Sequence, residues 1–399
     1  MADPIGIRSF LDFIRSLDDT TFEQAKNLPD AKVGSSAAFD EMLSFLRDFY
    51  TGIEVMNSFA DEGGQVVDCV PFRLQPALRG SSEPIPDPPP PGWSMQPSMD
   101  AISVNGQLAP GRRDRHGNEA WCSDETIPIR RISLEELVRF ESLDHYHDKA
   151  RVRPGTTLGT DVHEYAIGTL PADNLGGVSY NNIWAPTVGA GQINSISQIW
   201  CLAGPVEKAQ TVEGGWTVYP ARFGTTGPCL FIFFTSDGYK LKKGWNLDGG
   251  AFTQTNNNWI LGGWLHNSIP NGQQQALLLG WYLWGGCWWC SCGTNSVGYP
   301  TWLGYYKAST FLSGQMATKA QLIEFGGEAT GLTAWGQMGS GQLAAYGYKL
   351  AAYHDKISYF PMSGGASTPA LTSYQTHPNW YTVSIGGEYL YFGGPGSGQ

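Results

Sequence analysis

The 399-residue sequence has no basic stretch that could follow a nucleic-acid backbone, and its formal net charge is −11. This balance argues against nucleic acid as a partner. No run of 18 apolar residues is present, so no membrane-spanning helix and no membrane partner is expected. The first 19 residues also lack the apolar core of a signal peptide, because Arg8, Asp12 and Arg15 interrupt it.

Two locations are compatible with such an N-terminus. We expect a secreted protein, which would need another export route or a sequence that begins after a removed signal. An intracellular location is the alternative.

The sequence also lacks the common motifs of catalysis and cofactor binding. It has no G-x-S-x-G, no H-E-x-x-H, no phosphate-binding loop and no G-x-G-x-x-G opening a helix. The seven cysteines include the group Cys287, Cys290 and Cys292, but a structural zinc site usually needs four ligands and no fourth lies at a suitable spacing. We therefore expect no metal and no cofactor.

Charge is distributed unevenly and divides the chain into two parts. Residues 155–399 hold only 11 of the 36 acidic and 9 of the 25 basic side chains, and are rich in glycine and tryptophan. Two folding units are predicted, at residues 1–150 and 151–399. Within the first, residues 83–92 form a proline-rich linker that must be extended.

Hydrophobic spacing predicts helices over Ile7–Leu17, Phe39–Tyr50 and from Ser133 to about Leu143. From about Gly155, short β-type runs alternate with Gly, Asn and Pro clusters, and no long helical pattern intervenes. The predicted strands are Val178–Trp184, Ser195–Leu202, Gly214–Tyr219, Cys229–Thr235, Asn258–Leu265, Ala276–Trp284, Thr318–Phe325 and Tyr381–Tyr391. We expect an all-β antiparallel sandwich of two large sheets, preceded by a smaller α+β region.

Acidic residues are so scarce in the second part that those present are informative. Between Asp248 and Asp355 the only ones are Glu324 and Glu328, which share one face of a predicted strand. Glu213 shares a strand face with small residues and completes a set of three candidates. Strand alternation does not choose among them, and ordinary solvent-facing strand residues are the alternative.

Several ordered motifs resemble those of the neprosin family of glutamic peptidases, first associated with the digestive fluid of carnivorous plants. They are Asp68–Ala77, Thr126–Arg131, Ser195–Trp200, Glu213–Pro220, Thr235–Tyr239, Gly326–Glu328, Gln337–Gly341 and Gly393–Gly396. The first two resemble the family's activation segment, so the resemblance implies that residues 1–150 are a pro-region. For residues 151–399 it implies a sandwich of two seven-stranded sheets.

The resemblance selects Glu213 and Glu328 as the catalytic pair and leaves Glu324 a supporting role. Two neighbouring carboxylates cannot both ionise easily, so one can activate water while the other donates a proton. The implied activity is hydrolysis of peptides after proline at acidic pH, by a zymogen whose own pro-region inhibits it. Gln198 is a possible oxyanion donor, and Pro154 is a candidate maturation site.

The sequence departs from plant members of the family at its cysteines. The stretch Gly244–Gly249 and the C-terminus both lack cysteines that plant members carry, so we expect a divergent member. Cys69 and Cys122 flank the proline linker and are predicted to form a disulfide. In a peptidase that favours proline, Pro88–Pro91 are predicted to occupy the active groove as an inhibitor.

Two other functions stay open at this point. A sandwich glycosidase could use the same glutamate pair, because retaining enzymes need two neighbouring carboxyl groups. A lectin-like binding module with surface aromatics would need neither glutamate.

Overall fold

The computed structural model describes residues 6–90, 108–149, 162–294 and 301–397. Five of its six helices precede residue 150. The helices are α1 (Phe10–Asp19), α2 (Phe22–Ala25), α3 (Ser36–Tyr50), α4 (Leu134–Leu137), α5 (Leu143–His147) and α6 (Pro220–Phe223). Single 3₁₀ turns occur at Phe72–Leu74, Pro76–Leu78, Val206–Lys208, Ala308–Phe311, Gln315–Ala317 and Ala344–Tyr346.

The described residues form eighteen strands in three antiparallel sheets. They are β1 (Asn57–Ala60), β2 (Val66–Pro71), β3 (Thr126–Arg130), β4 (Val162–Leu170), β5 (Asn174–Asn182), β6 (Gln192–Ala203), β7 (Gln210–Val218), β8 (Cys229–Thr235), β9 (Lys243–Trp245), β10 (Phe252–Gln254), β11 (Ala276–Trp284), β12 (Cys287–Thr294), β13 (Thr301–Lys307), β14 (Leu322–Gly331), β15 (Ala352–Pro361), β16 (Thr372–Gln375), β17 (Thr382–Gly386) and β18 (Tyr389–Gly393). The orders are β1-β2-β3, then β10-β13-β12-β11-β5-β15-β18-β17, then β16-β4-β14-β6-β7-β8-β9.

The seven-stranded and eight-stranded sheets pack face to face as a sandwich. Gly214 on β7 marks the inner face of the seven-stranded sheet, because a Cβ there would lie 3.2 Å from Leu279 and 3.4 Å from the indole nitrogen of Trp281 on β11. Successive strand residues alternate in direction, so the residues on either side of Gly214 point away from the core. The all-β sandwich predicted from the sequence is confirmed, with eight strands rather than seven in one sheet.

The N-terminal region is tied together by a buried ion pair between two motifs. Arg131 follows β3, and its guanidinium donates hydrogen bonds of 2.8 and 2.6 Å to the two carboxylate oxygens of Asp68 on β2. Both side chains are buried. A disulfide joins Cys69, the next residue on β2, to Cys122. A bidentate charged pair fixes the register of two adjacent strands, which explains why these motifs occur together.

This N-terminal region covers the outer face of the seven-stranded sheet through residues 143–149, the capping segment. The guanidinium of Arg222 donates to the carbonyl oxygen of Tyr146 and pairs with Asp248 at 2.5 Å. The Tyr146 hydroxyl also donates to Asp248 at 3.0 Å. The segment is therefore fastened to the sandwich by buried polar contacts as well as by apolar packing.

A different stretch of the N-terminal region covers the outer face of the eight-stranded sheet. Ile85 packs against a small cluster that includes Trp289 and Tyr305, and Glu83 pairs with Lys307 at the surface. The described part of the proline-rich linker therefore begins on the sheet opposite the three candidate glutamates. Pro91 of the predicted inhibitory stretch Pro88–Pro91 lies outside the described residues, and the chain just before Pro88 is anchored on the sheet opposite the glutamates.

Three predicted elements differ from the structure. Tyr381–Tyr391, predicted as one strand, is the hairpin of β17 and β18. Asn258–Leu265 has β-type residues but forms a loop, because Gly262 adopts a φ of +83° and turns the backbone. The turn is held on Leu230, whose carbonyl oxygen accepts from the Gly262 N–H and whose N–H donates to the Gly263 carbonyl oxygen. The third predicted helix is two short helices, α4 and α5. No helix in the described ranges is long and apolar enough to cross a membrane.

Candidate active site

Glu213 and Glu328 lie on the outer face of the seven-stranded sheet. On β14, a Cβ at Gly327 would meet the ring of Phe392 in the opposite sheet at 2.5 Å, so Gly327 faces inward. Glu328 is the next residue and points outward, as Glu213 does beside the inward-facing Gly214. Both carboxylates are nevertheless buried, at 0% and 2% exposure, because the capping segment lies over them.

Strand β6 runs between the two glutamate strands and contributes Gln198. This residue lies opposite Gly326 on β14 and Gly215 on β7. The two glycines are required by the backbone, since a Cβ at Gly215 would lie 1.9 Å from the carbonyl oxygen of Ser197. Their lack of side chains also keeps the space on both sides of Gln198 open.

Glu213 is held by two hydroxyl groups and one ammonium group. Its Oε1 accepts hydrogen bonds from Thr211 Oγ1 at 2.7 Å and from the Tyr239 hydroxyl at 2.8 Å. Its Oε2 pairs with the ammonium of Lys149 from the capping segment. Burial, followed by the nearby carboxylate of Glu213, raises the pKa of Tyr239, so this phenol stays a hydrogen-bond donor.

A tight turn aims Tyr239 at the site. The Asp237 carboxylate accepts backbone hydrogen bonds from Lys240, Leu241 and Lys242, at 3.1, 2.9 and 3.0 Å. Tyr239 itself takes a left-handed φ of +59°. A bulky residue adopts that conformation only where the surroundings enforce it, and such positions cluster at functional sites. The Thr235–Tyr239 motif therefore supports one of the two candidate carboxylates.

Glu328 is held by an amide, an imidazole and the same ammonium group. Gln198 Nε2 donates to Oε2 at 2.9 Å, and Lys149 Nζ lies 3.2 Å from that oxygen. The other oxygen, Oε1, contacts Nδ1 of His163 on β4. The His163 ring stacks on Tyr165 at 6.0 Å, which fixes its orientation.

Lys149 joins the two carboxylates through a single atom. Its side chain is buried, and its ammonium lies 5.3 Å from the ring centre of Trp200 and 5.8 Å from that of Phe231. Because one ammonium contacts both Glu213 and Glu328, the two carboxylates face the same space, and each makes ionisation of the other less favourable when the ammonium is absent.

The backbone before Lys149 is anchored on the sandwich. The indole of Trp245 donates to the carbonyl oxygen of Asp148 at 3.1 Å, and the Asp148 carboxylate pairs with Lys243. These contacts determine where the Lys149 side chain enters the site.

The surroundings shift the pKa values of two glutamates on β14 in opposite directions. Burial alone would raise the pKa of Glu328, but the Lys149 ammonium and the His163 imidazole outweigh it and lower the pKa to about 2. For Glu324, burial and then the negative charges of Glu213 and Glu328 raise the pKa to about 7 against one hydrogen bond from Thr169. Glu324 is therefore neutral at acidic pH, whereas Glu328 is ionised.

The structure brings Glu213, Glu328 and Gln198 together and leaves Glu324 on the same face without a contact to Lys149. Pro154 lies outside the described residues, and the disulfide of Cys69 lies in the three-stranded sheet rather than at the site. Lys149, His163 and Tyr239 belong to the site but were not predicted from the sequence. Of these three residues, only Tyr239 belongs to a family motif recognised in the sequence, Thr235–Tyr239, and no function was assigned to that motif.

The groups present support acid–base chemistry. Within the described ranges, no cluster of three or more His, Cys, Asp and Glu side chains is placed to hold a metal ion. Two carboxylates with an amide between them can activate a water and donate to an oxygen or nitrogen of a bound substrate.

Comparison with known proteins gives one family match and a set of distant structural similarities. The model of the Neprosin family matches residues 191–395, just over half of the chain, and this range includes Gln198, Glu213 and Glu328. A solved structure of scytalido-glutamic peptidase with a transition state analog inhibitor is similar at a TM-score of 0.35 and 9% identity, covering 58% of this chain and 98% of that one. SCP-B, a member of the Eqolisin family of peptidases in complex with the tripeptide Ala-Ile-His, is similar at a TM-score of 0.34 and 8% identity, with the same coverage.

Proposed function

Because the chain belongs to the Neprosin family, we propose that it is a glutamic endopeptidase made as a zymogen, with Glu213 and Glu328 as its catalytic pair. The observation that carries the proposal is the single ammonium of Lys149 in contact with both carboxylates. Two carboxylates this close hold one proton between them once the ammonium leaves, which is the state that acid-dependent peptide hydrolysis requires.

In the proposed mechanism, Glu328 is the general base and Glu213 the general acid. His163 remains beside Glu328 when Lys149 leaves, because it belongs to the sandwich, and its hydrogen bond favours the ionised carboxylate. Glu328 then takes a proton from the attacking water, while Glu213 protonates the leaving nitrogen. The Gln198 amide is placed to donate to the developing oxyanion.

The pro-region, residues 1–150, inhibits the enzyme through the capping segment. Lys149 fills the space between the carboxylates and pairs with both, so neither a water nor a substrate carbonyl can reach them. Acidification to pH 4 weakens this contact only in part, because the pKa of Glu328 beside the ammonium is lowered to about 2 and this carboxylate stays ionised. Cleavage in the following connector, where Pro154 is a candidate, would make release permanent.

The aromatic rings under Lys149 support a preference for proline. Trp200 and Phe231 present ring faces beside the pair. A pyrrolidine ring is compact and has little conformational freedom to lose, so it can pack on such a face at low entropic cost. The substrates of this proposal are peptides and proteins that contain proline.

The disulfide supports secretion as the location. Cys69 and Cys122 are bonded to each other. Disulfides persist in oxidising compartments and are rare in the cytosol.

The test is peptide hydrolysis by the full chain at pH 4, with self-processing followed by mass spectrometry. Glu213→Gln and Glu328→Gln should each lower turnover of a proline-containing peptide by at least about 1,000-fold, because each removes a proton that the reaction transfers. Glu388→Gln is the matched control, since Glu388 is exposed and pairs only with Lys356 in the ion pairs of the described residues. Turnover that survives both active-site changes would refute the proposal, and cleavage of β-glucan by the same samples would favour a glycosidase.

A further inference from the structure

The space between the two glutamates has the chemistry of a cation-binding site. Lys149 enters it as a four-carbon chain ending in an ammonium. The side chains that form the walls of this space are of two kinds, and both are complementary to an ammonium group. Glu213 and Glu328 supply negative charge, and the faces of Trp200 and Phe231 lie 5.3 and 5.8 Å from the nitrogen. Paired carboxylates with aromatic faces are the features by which proteins bind alkylammonium ions.

Almost all of these walls belong to the sandwich and not to the pro-region. The glutamates lie on β7 and β14, Trp200 on β6 and Phe231 on β8, all within one sheet. Their positions are fixed by the ladder of hydrogen bonds between neighbouring strands. Removal of the capping segment therefore takes away the ammonium and leaves its binding site formed.

Two further polar atoms of residues that hold Glu328 have no hydrogen-bond partner in the described part of the chain. They are Oε1 of Gln198, a residue with 0% exposure, and Nε2 of His163, both buried. Buried polar atoms without a hydrogen bond are uncommon in folded proteins.

We propose that the space between Glu213 and Glu328 is a subsite for primary alkylammonium groups, the chemical class of the lysine side chain. Lysine-bearing peptides, including the released pro-region, bind there and compete with substrate. The inference rests on the proposed function only for that competition; the binding itself does not require catalysis.

Binding depends on pH through the groups that surround the ammonium. The titratable residues around it, or beside its carboxylate partners, are Glu213, Glu324, Glu328, His163, Tyr165 and Tyr239. Alkylammonium groups stay protonated across the relevant range, so the carboxylates decide the affinity. Burial raises the pKa of Glu328, but the charges of Lys149 and His163 outweigh burial and lower it to about 2, so this carboxylate is ionised and the subsite is occupied at neutral pH. Protonation of Glu328 at much lower pH weakens the attraction.

The test is chemical rescue of a full-length variant. Lys149→Ala removes three carbons and the nitrogen, which 1-propylammonium chloride replaces. At pH 7.5, where the acid-dependent activity is off, a concentration ten times the dissociation constant should raise the melting temperature of Lys149→Ala by about 1–3 °C. The wild-type chain, whose subsite is filled, should not respond.

Three controls make the result specific. 1-Propanol has the same carbon chain without charge, and tetramethylammonium has the charge without N–H donors; neither should raise the melting temperature. The double variant Lys149→Ala/Glu328→Gln lacks one carboxylate and should lose the response to 1-propylammonium. Equal shifts with all three compounds, or a full response of the double variant, would overturn the subsite.

If Lys149→Ala does not accumulate as folded protein, the comparison is made during refolding from urea. 1-Propylammonium should increase the recovered folded fraction more than 1-propanol does, and equal recovery would contradict the proposal. Because both readouts report folding and not hydrolysis, they separate failure of this subsite from failure of the peptidase proposal. If 1-propylammonium rescued the variant but the chain had no peptidase activity, the subsite proposal would stand and the peptidase proposal would be rejected.

Discussion

The two outer faces of the sandwich are both covered by the N-terminal region, but in different ways. On the seven-stranded sheet, the cover buries the charged side chain of Lys149 against two carboxylates. On the eight-stranded sheet, the cover packs Ile85 on aromatic rings, and its one ion pair, between Glu83 and Lys307, lies at the surface among the described contacts there.

This difference separates a functional contact from ordinary packing. Burying charged groups costs several kcal/mol per ion, which their attraction repays only in good geometry. Apolar packing would cover the seven-stranded sheet at a lower cost, as it does the other sheet. Buried ionisable groups with perturbed pKa values concentrate at functional sites. The buried charges under the cover of the seven-stranded sheet therefore indicate that the functional site lies on that face.

The largest expected effect comes from replacing one lysine on each face with methionine. Lys149→Met leaves two buried carboxylates without their cation and should lower the free energy of unfolding at pH 7 by about 3–5 kcal/mol. Lys307→Met breaks an exposed pair and should change it by less than about 1 kcal/mol. Urea unfolding measures both. Equal losses would show that the two covers are equivalent.

The same two variants also differ in how strongly their stability depends on pH. The pKa of Glu328 is lowered to about 2 from an ordinary 4.5, so the stability it contributes is present above pH 4.5 and is lost as pH falls to 2. This shift corresponds to about 3 kcal/mol. Lys149→Met should lose much less stability between pH 5 and 2 than Lys307→Met does.

A second prediction concerns His163, which acts on Glu328 as a positioning residue. His163→Ala should lower kcat/KM at pH 4 by about 10-fold and move the acidic limb of the pH profile upward, because the pKa of Glu328 rises without this donor. His163→Asn keeps a hydrogen-bond donor near the position of Nδ1 and should move the acidic limb part of the way back to its wild-type pH. His266→Ala, at a half-exposed histidine near Glu62, is the control. If kcat/KM fell by the same factor at every pH and the acidic limb did not move, the role of His163 would be purely structural.

A third prediction is a smaller one and tests Glu324. Because the pKa of Glu324 is raised to about 7, its carboxyl group is neutral in acid, and Glu324→Gln should keep peptide hydrolysis at pH 4 within about 2-fold. A raised pKa gives stability that is present below the ordinary value of 4.5 and is lost as pH rises through 7. The variant should therefore be more stable than wild type at pH 8, by about 1–3 kcal/mol. A large loss of acid activity would place Glu324 in the catalytic machinery.

The smallest expected effect is at the cover of the eight-stranded sheet. Ile85→Ser exposes part of one half-buried side chain and should cost about 1–2 kcal/mol of unfolding free energy. Latency at pH 4 should be unchanged, because this segment does not contact the glutamates in the described residues. Faster self-processing of Ile85→Ser than of wild type would support the prediction that the proline-rich linker inhibits the enzyme.

The sandwich could be predicted because its strands are locally encoded. Cys229–Thr235 and Ala276–Trp284 are β-branched and aromatic runs bounded by turn residues, and both are strands with those bounds. Prediction failed where glycine decides the backbone. Gly262 and Gly263 turn a β-type run into a loop, whereas Gly326 and Gly327 lie inside β14, which continues to Gly331 because both neighbouring strands pair with it.

The glutamate pair could be predicted only in part. Strand alternation put Glu324 and Glu328 on one face, and the family resemblance chose between them. It could not give Lys149 or His163, which reach the pair from 64 and 165 residues away in the chain. Such contacts depend on how separate strands and segments assemble, and no local pattern of residues records them.

The most direct test of the account is the rate at which the unprocessed chain hydrolyses a proline-containing peptide at pH 4 when Lys149 is replaced by methionine. We predict turnover without any prior cleavage of the chain, which disappears when Glu328→Gln is added. An intact, folded Lys149→Met chain that stays inactive, or one whose activity survives Glu328→Gln, would contradict the central claim that Lys149 caps a catalytic glutamate pair.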